Sequence, residues 1–159
     1  MELRIDGWKS RIRFSASHFV PTHEKCDKLH GHDYAVHLLL EGEVDSSGMI
    51  MDFILLKKAM RKIVEELDHR VLLPGKSPLM KIKKGSTISI SVGEKSYHFP
   101  SEDVRILDIG AVSAENLADY VLRKLTDEIG IPENVSSISV GVDEGPGQGA
   151  WASVTKRSA

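Results

Sequence analysis

Apolar and polar residues alternate with the two-residue period of a β-strand near both ends of the chain. The alternation predicts strands over four segments: 11–17 (RIRFSAS), 33–44 (DYAVHLLLEGEV), 136–142 (SSISVGV) and the final WASV. After a turn at 45–48, MIMDF predicts a further strand. The run from Leu38 to Leu40 interrupts the alternation, so we expect both faces of the second strand to be covered. Helices would cover one face and a partner subunit the other.

Two segments carry apolar residues at the three-to-four-residue spacing of an amphipathic helix. The first runs from about 53 to 67, and Asp52 is placed to cap its start. The second, AENLADYVLRKLTDEIG, follows Ser113 as its N-cap, and Gly130 supplies a stop signal at its end.

The order of these elements predicts an α+β fold with an antiparallel sheet and helices on one face. An additional hairpin is predicted near 86–99, inside an insertion over 75–107. A chain of 159 residues fits one domain with a proper core, and no low-complexity linker divides it. We therefore expect a single domain over 1–159.

Composition and charge narrow the classes of partner. The formal net charge is −2 and the basic residues are scattered, so the sequence favours neither nucleic acid nor a membrane surface. No apolar stretch approaches the length of a membrane span, and MELRIDGWKS lacks the apolar core of a signal peptide. A single cysteine cannot form an intramolecular disulfide. Together these features predict a protein of the reducing cytoplasm.

The segment His30-Gly31-His32 is the first candidate for chemistry. If it is extended, the two imidazoles project to the same side, and Gly31 leaves the space between them open. Two imidazoles so placed can chelate one ion, and His18, at the end of the preceding strand, can supply a third ligand. Three neutral histidines with an open fourth position describe a catalytic zinc site. The alternative is a chance pair of histidines in a polar loop.

Cys26, the only cysteine, lies in a polar loop four residues before His30. It is open to three interpretations: a fourth zinc ligand, a small buried apolar residue, or a catalytic thiol. A nearby dication lowers the pKa of a thiol and favours the thiolate. That effect suits a general base better than a packing residue.

Two acidic residues are candidates for further roles. Asp68, followed by His69 at the end of the first helix, belongs either to a helix cap or to a proton-transfer dyad, and the spacing favours neither. Glu144, at the end of the apolar strand over 136–142, is either an ordinary turn acid or an anchor. As an anchor it would accept two parallel N–H bonds from a planar, amidine-like edge.

Six segments, in order along the chain, closely resemble the 6-pyruvoyltetrahydropterin synthase family, in particular its 6-carboxytetrahydropterin synthase branch. They are FSASH (14–18), CDKLHGHDY (26–34), EGEVDSSGMIMDF (41–53), ELDHRVL (66–72), SAENLA (113–118) and VDEG (142–145). The spacing between Cys26 and His30 is similar to that of the bacterial and archaeal carboxytetrahydropterin type, since the animal pyruvoyl type has a longer gap. The resemblance covers nearly the whole chain except 75–107.

The resemblance implies a site whose residues divide by role. Three would bind Zn²⁺: His18, His30 and His32. Three would move protons: the thiol of Cys26 and a partner dyad of Asp68 and His69. Two would lie at the pterin: Glu144, as the anchor of its 2-amino and N3 edge, and Ser113, which stands where the family carries Thr.

The resemblance also implies the tunnelling fold, in which a four-stranded antiparallel sheet carries two helices on one face. Three such sheets close into a trimeric barrel, two trimers stack into a hexamer, and sites lie between subunits. The implied reaction is the zinc-dependent conversion of 7,8-dihydroneopterin triphosphate to 6-carboxy-5,6,7,8-tetrahydropterin, with loss of triphosphate and acetaldehyde. That product lies on the route to queuosine and related deazapurine bases of tRNA. The enzyme would handle a small molecule and need not touch RNA.

Departures from the family pattern concern the substrate more than the zinc or the fold. Leu73 replaces the usual Asn, Gly145 replaces the usual Thr, and 75–107 is longer than in compact members. Alternatives on the same scaffold are 6-pyruvoyltetrahydropterin formation and an aldolase-like cleavage of dihydroneopterin. An alternative of another class is a zinc-binding scaffold without chemistry, although the retention of every catalytic candidate argues against it.

Overall fold

The computed structural model describes residues 1–21, 23 and 25–156. The strands in chain order are β1 (Glu2–Ile5), β2 (Arg13–His18), β3 (His30–Gly42), β4 (Arg70–Pro74), β5 (Lys81–Lys83), β6 (Thr87–Val92), β7 (Lys95–Pro100), β8 (Val104–Leu107), β9 (Val135–Glu144) and β10 (Gly149–Thr155). The helices are α1 (Gly7–Ser10), α2 (Phe53–Leu67) and α3 (Ala114–Ile129), with a short 3₁₀ helix at Ser101–Asp103. Within the described part of the chain, no helix is long and apolar enough to cross a bilayer.

Seven strands form the main sheet. Six lie in the order β10-β9-β3-β2-β4-β8, and β1 pairs with β3. Strands β10, β9, β3 and β2 pair antiparallel, whereas β4 joins β2, and β8 joins β4, in parallel. The prediction of a four-stranded antiparallel sheet is therefore wrong in its detail. The edge of β2 would otherwise leave backbone N–H and C=O groups unpaired, and the apolar strand that follows α2 supplies partners for them.

The predicted strand at MIMDF is also wrong. Residues 49–52 contain a bend at Ile50 and Met51 and no strand before α2 begins. The side-chain amide of Asn134 donates to the carbonyl oxygens of Glu43 (2.8 Å) and Ile50 (3.0 Å). A side chain from the loop before β9 thus makes the hydrogen bonds that a strand pairing would have supplied.

Helices α2 and α3 pack on one face of the main sheet and share one hydrophobic core with it. Their predicted caps are confirmed: Asp52 accepts a hydrogen bond from the amide of Ile54 (2.7 Å), and Ser113 accepts one from the amide of Asn116 (3.4 Å). At the end of α3, Gly130 has a φ of 65°, a left-handed conformation that favours glycine. The bounds of α2 agree with the prediction because capping and helical spacing are both local signals.

A second, three-stranded antiparallel sheet of β5, β6 and β7 occupies most of the insertion. The predicted hairpin corresponds to β6 and β7, and β5 is an addition to it. This inserted sheet has its own apolar cluster of six buried residues: Phe19, Leu73, Met80, Ile88, Ile90 and Val92. The cluster includes residues from the loop after β2 and from β4, so the inserted sheet is joined to the main sheet beside the polar loop over 18–30.

Candidate metal centre and active site

Three histidines meet at one end of the main sheet. The antiparallel register of β2 and β3 places His18 directly opposite His30, and His32 lies two residues further along β3. Their ring centroids are 4.5 to 5.1 Å apart. One potential ligand atom from each histidine lies within 4.8 Å of those of the other two. Among the described residues, these three side chains are the set of potential metal ligands that lie close enough together to hold one ion. We call it the histidine trio.

Hydrogen bonds fix the tautomers of two members of the trio. The Nδ1–H of His18 donates to the carbonyl of Val112 (2.7 Å), and that of His30 donates to the carbonyl of Lys28 (2.7 Å). Because a carbonyl can only accept, the lone pair of each ring is left at Nε2. The buried Nε2 of His18 has no partner among the described residues. These donors fit a metal ion, which binds neutral imidazole through such a lone pair.

Burial sets the charge state of His18. Its side chain is 2% exposed, and this burial is the main reason that its pKa falls to about 4. The neighbouring His30 and His32 lower the pKa further, whereas the hydrogen bond to Val112 opposes the shift. At neutral pH the imidazole is therefore neutral, the form that a metal requires.

Cys26 lies in the loop between β2 and β3 and is half-buried. Its carbonyl accepts a hydrogen bond from the amide of Val20 (2.6 Å), which closes the loop on itself. Its sulfur is outside the group of ligand atoms formed by the histidine trio, and its exposure differs from that of a core residue. The geometry therefore favours neither the ligand nor the packing interpretation of Cys26.

Asp68 and His69 form a hydrogen-bonded pair directly after α2. Asp68 Oδ2 lies 2.8 Å from His69 Nδ1, and Asp68 Oδ1 accepts from the amide of Ser15 (2.8 Å). Although burial by itself raises the pKa of Asp68, the Ser15 amide and His69 together hold it below its usual value. His69 adopts a left-handed φ of 55°. The pair is thus both the cap of the helix end and a carboxylate–imidazole dyad.

The depression beside the dyad is lined mainly by residues that alternate with the histidine trio along β2 and β3. His69 is largely exposed and lines this depression of about 690 Å³ with Ser15, Asp33 and one member of the trio, His32. The side chains of Ser15 and Asp33 contact each other, and along their strands they alternate with the trio. The sequence predicted both groups, and of the trio only His32 shares this depression with His69.

Glu144 ends β9 opposite Tyr34 of β3, two residues beyond His32. Burial is the main cause that raises the pKa of Glu144; Glu115 adds to the shift, whereas His32 opposes it. Glu144 is thus a half-buried carboxylate close to the trio. Its role as an anchor stays a prediction.

Ser113 contributes to the site through the helix that it caps. Its hydroxyl accepts hydrogen bonds from the backbone amide and the side-chain amide of Asn116 (3.4 and 3.0 Å). The preceding residue is Val112, whose carbonyl orients His18. The start of α3 is therefore fixed against the trio, and the Ser113 hydroxyl is engaged in capping.

Sequence reasoning missed two contributors to the site. Tyr34 is fully buried, its ring contacts those of His18 and His32, and its hydroxyl has no partner among the described residues. The two-residue strand period from His30 could have revealed it, since residues 30, 32 and 34 share a face. Nothing local marks the Val112 carbonyl, which lies 94 residues from its partner His18.

Comparisons with known proteins agree on one family. The family model described as 6-pyruvoyl tetrahydropterin synthase matches residues 8–156. A putative 6-carboxy-5,6,7,8-tetrahydropterin synthase of Methanocaldococcus jannaschii is 35% identical over 155 residues, covering 94% of each chain. A dihydroneopterin monophosphate aldolase of Pyrococcus furiosus is 44% identical over 62 residues, covering 39% of this chain and 53% of that protein. A catalytic-residue mutant of Plasmodium vivax 6-pyruvoyltetrahydropterin synthase, with glutamate replaced by alanine, is 30% identical, with a TM-score of 0.91 and 98% of each chain covered.

The chain belongs to the 6-pyruvoyl tetrahydropterin synthase family. The matched range 8–156 contains every site residue that the sequence predicted. The resemblance inferred from six short segments is confirmed, and so is the prediction of a lyase of pterin metabolism. The similarity to the Plasmodium vivax structure confirms the tunnelling fold. The main sheet of this chain has seven strands rather than the predicted four.

Proposed function

We propose that the protein is a zinc-dependent 6-carboxytetrahydropterin synthase. It would convert 7,8-dihydroneopterin triphosphate to 6-carboxy-5,6,7,8-tetrahydropterin, with loss of triphosphate and acetaldehyde. The observation that carries this proposal is the buried Nε2 of His18, which lies beside two further imidazoles and has no hydrogen-bond partner in the described part of the chain. A buried polar atom without a partner is costly, and an ion bound by the trio removes that cost. The similarity to the Methanocaldococcus jannaschii protein supports the choice of product.

His18, His30 and His32 would hold the Zn²⁺ ion, since three imidazoles with an open position are a common catalytic zinc site. When bound, zinc supplies Lewis-acid stabilisation of the negative charge that develops on the side chain of the substrate. The chain itself keeps the imidazoles neutral and oriented. It does so by burying His18 and by holding two Nδ1–H groups on backbone carbonyls.

Cys26 and the Asp68–His69 dyad would move protons on opposite sides of the substrate side chain. The Cys26 thiolate would act as a base. In the dyad, Asp68 holds the Nδ1–H of His69 and so presents Nε2 as the acceptor. Both groups would work at the carbon–oxygen and carbon–carbon bonds that break, while triphosphate leaves by elimination.

A carboxylate next to Cys26 is a rival for the role of base, because the Plasmodium vivax relative is described with a catalytic glutamate. Among the described residues, the carboxylate adjacent to Cys26 in sequence belongs to Asp27. Its Oδ2 already accepts a hydrogen bond from Lys95 (2.5 Å), and that bond is the main reason that its pKa lies below the usual value. A paired carboxylate with a lowered pKa is a weak base, which favours the thiol.

Glu144 would anchor the pterin by accepting hydrogen bonds from its 2-amino and N3 edge. The half-buried position of the carboxylate supports this role, because an amidine-like edge with two parallel N–H groups compensates for lost solvation. Ser113 would act indirectly, by fixing the start of α3 near the pterin pocket.

A second copy of the chain would complete the site. Within one subunit, His69 shares its depression with His32 but not with His18 or His30, so we expect a neighbouring subunit to close the site. We infer a homo-oligomer, a trimer or a dimer of trimers, in which the dyad of one subunit meets the trio of its neighbour. We place the reaction in the cytoplasm, where a lone thiol stays reduced, and its product on the route to queuosine-type bases, with no nucleic acid bound.

Incubation of the zinc-loaded protein with 7,8-dihydroneopterin triphosphate, followed by mass spectrometry, tests the proposal. We expect a carboxytetrahydropterin and acetaldehyde. A pyruvoyl product, or the aldolase cleavage suggested by the Pyrococcus furiosus relative, would replace the proposed reaction with its alternatives. Unchanged substrate with zinc bound would favour the non-catalytic scaffold.

Replacement of Cys26 tests whether the thiol takes part in turnover or binds the zinc ion. Cys26→Ala should lose turnover by several orders of magnitude and retain one zinc per subunit, measured by elemental analysis. A variant that lost its zinc would make Cys26 a ligand and refute its assigned role.

A further inference from the structure

The inserted sheet contacts the loop that carries Cys26 at both ends of that loop. At the first end, Phe19 directly follows His18 and is 1% exposed within the apolar cluster of the insertion. Its ring stacks on that of Tyr97 in β7, with centroids 5.0 Å apart and planes 24° apart. The loop therefore begins with an anchor in the inserted sheet.

At the second end, an ion pair joins Lys95, the first residue of β7, to the residue after Cys26. Lys95 Nζ donates to the Asp27 carboxylate (2.5 Å) and to the Asp27 carbonyl oxygen (3.1 Å). The two residues are 68 positions apart in sequence. Because the ammonium group binds both the side chain and the backbone of Asp27, it constrains the peptide chain that carries the thiol.

Hydrogen bonds within the loop make it a compact unit between these two anchors. The amide of Val20 donates to the carbonyl of Cys26 (2.6 Å), and the amide of Asp27 donates to the carbonyl of His23 (2.9 Å). Cys26 and Asp27 are therefore tied by hydrogen bonds to the start of the loop.

The ion pair has little value for global stability. Both side chains are partly exposed, 42% for Lys95 and 34% for Asp27, and solvent screens such pairs. Its effect is instead local, since it determines where one backbone segment lies.

We propose that the insertion positions the Cys26 thiol through the Lys95–Asp27 pair, with Lys95 as a positioning residue. This inference rests on the proposed role of Cys26. It assigns a function to an inserted sheet whose role the sequence left open. A displacement of about 1 Å in a catalytic group can cost about 100-fold in rate, so a weak surface contact can control turnover.

Alkylation of the protein by iodoacetamide tests the positioning directly, because Cys26 is the only thiol in the chain. In the zinc-loaded protein, Lys95→Ala should change the alkylation rate at least about threefold and lower kcat about 10- to 100-fold, with KM within about twofold. Zinc content and Tm should stay unchanged. Lys83→Ala is the matched control, since Lys83 is an exposed lysine of the same sheet without an ion pair among the described residues.

A charge exchange separates positioning from a general loss of structure. Asp27→Asn should reproduce the Lys95→Ala effect, and the double variant Asp27→Lys with Lys95→Asp should recover most of the wild-type alkylation rate and kcat. Equal alkylation rates and kcat for Lys95→Ala and Lys83→Ala would overturn the proposal. The alkylation rate is measured without a pterin substrate, so it tests the positioning even if the proposed reaction is wrong. Failure of the proposed function and failure of the positioning are therefore distinguishable.

Discussion

The neutral, buried state of His18 makes the stability of the metal-free protein depend on pH. The pKa of His18 is about 4 in the folded chain, against 6.5 for an unperturbed histidine. As the pH falls below 6.5, the unfolded chain binds a proton at this position and the folded chain does not. The free energy of unfolding should therefore decrease between pH 6.5 and about 4, and this contribution should be constant below pH 4.

The magnitude follows from the two pKa values. The interval from 6.5 to about 4 is about 2.5 pH units, and each unit corresponds to about 1.4 kcal/mol. Complete protonation thus removes about 3 kcal/mol, of which about 2 kcal/mol is lost by pH 5. For a chain of this size, each kcal/mol lowers Tm by about 2–4 °C.

Urea unfolding of the chelator-treated protein at intervals from pH 7 to pH 4 measures this effect. Other carboxylates and histidines also titrate in this range, so the measurement needs a matched variant. His18→Asn serves, because the asparagine amide can still donate to the Val112 carbonyl, which accepts at 2.7 Å in the wild type, and no longer titrates. The loss between pH 7 and pH 4 should be about 3 kcal/mol smaller in the variant. Parallel curves for the two proteins would refute the reasoning, since they would mean that His18 has an ordinary pKa when folded.

Three further predictions concern the metal, the buried hydroxyl and the core. Zn²⁺ at about 100 times its Kd should raise the unfolding free energy of the wild type by about 2.7 kcal/mol and leave His18→Asn nearly unaffected, as seen in thermal melts with and without zinc. Equal shifts would place the metal elsewhere. Tyr34→Phe should stabilise the metal-free protein by about 1 kcal/mol in urea, because it removes a buried hydroxyl without a partner; destabilisation would mean that the hydroxyl is hydrogen-bonded. Leu56→Ala should cost about 2–5 kcal/mol, since Leu56 is fully buried between α2 and the sheet, and a cost below 1 kcal/mol would contradict its core position.

Local physical chemistry accounts for what could be predicted from the sequence. Asp52 and Ser113 were recognised as caps because a capping side chain binds amides only two or three residues away. The shared face of His30 and His32 followed from the strand period. The hairpin of β6 and β7 was predicted from two short alternating runs around a turn. Each of these features depends on residues that are close in sequence.

Tertiary structure decided the features that join distant residues. Local periodicity does not encode the parallel pairing of β4 with β2, nor the 94-residue separation between His18 and its hydrogen-bond partner. The position of the Asp68–His69 dyad was equally hidden, since it depends on a hydrogen bond from the amide of Ser15, 53 residues away. The residue types of the site could therefore be identified from the chain alone. Their distances, tautomers and faces arise only when the core forms, because the burial and strand register that set them are properties of the folded chain.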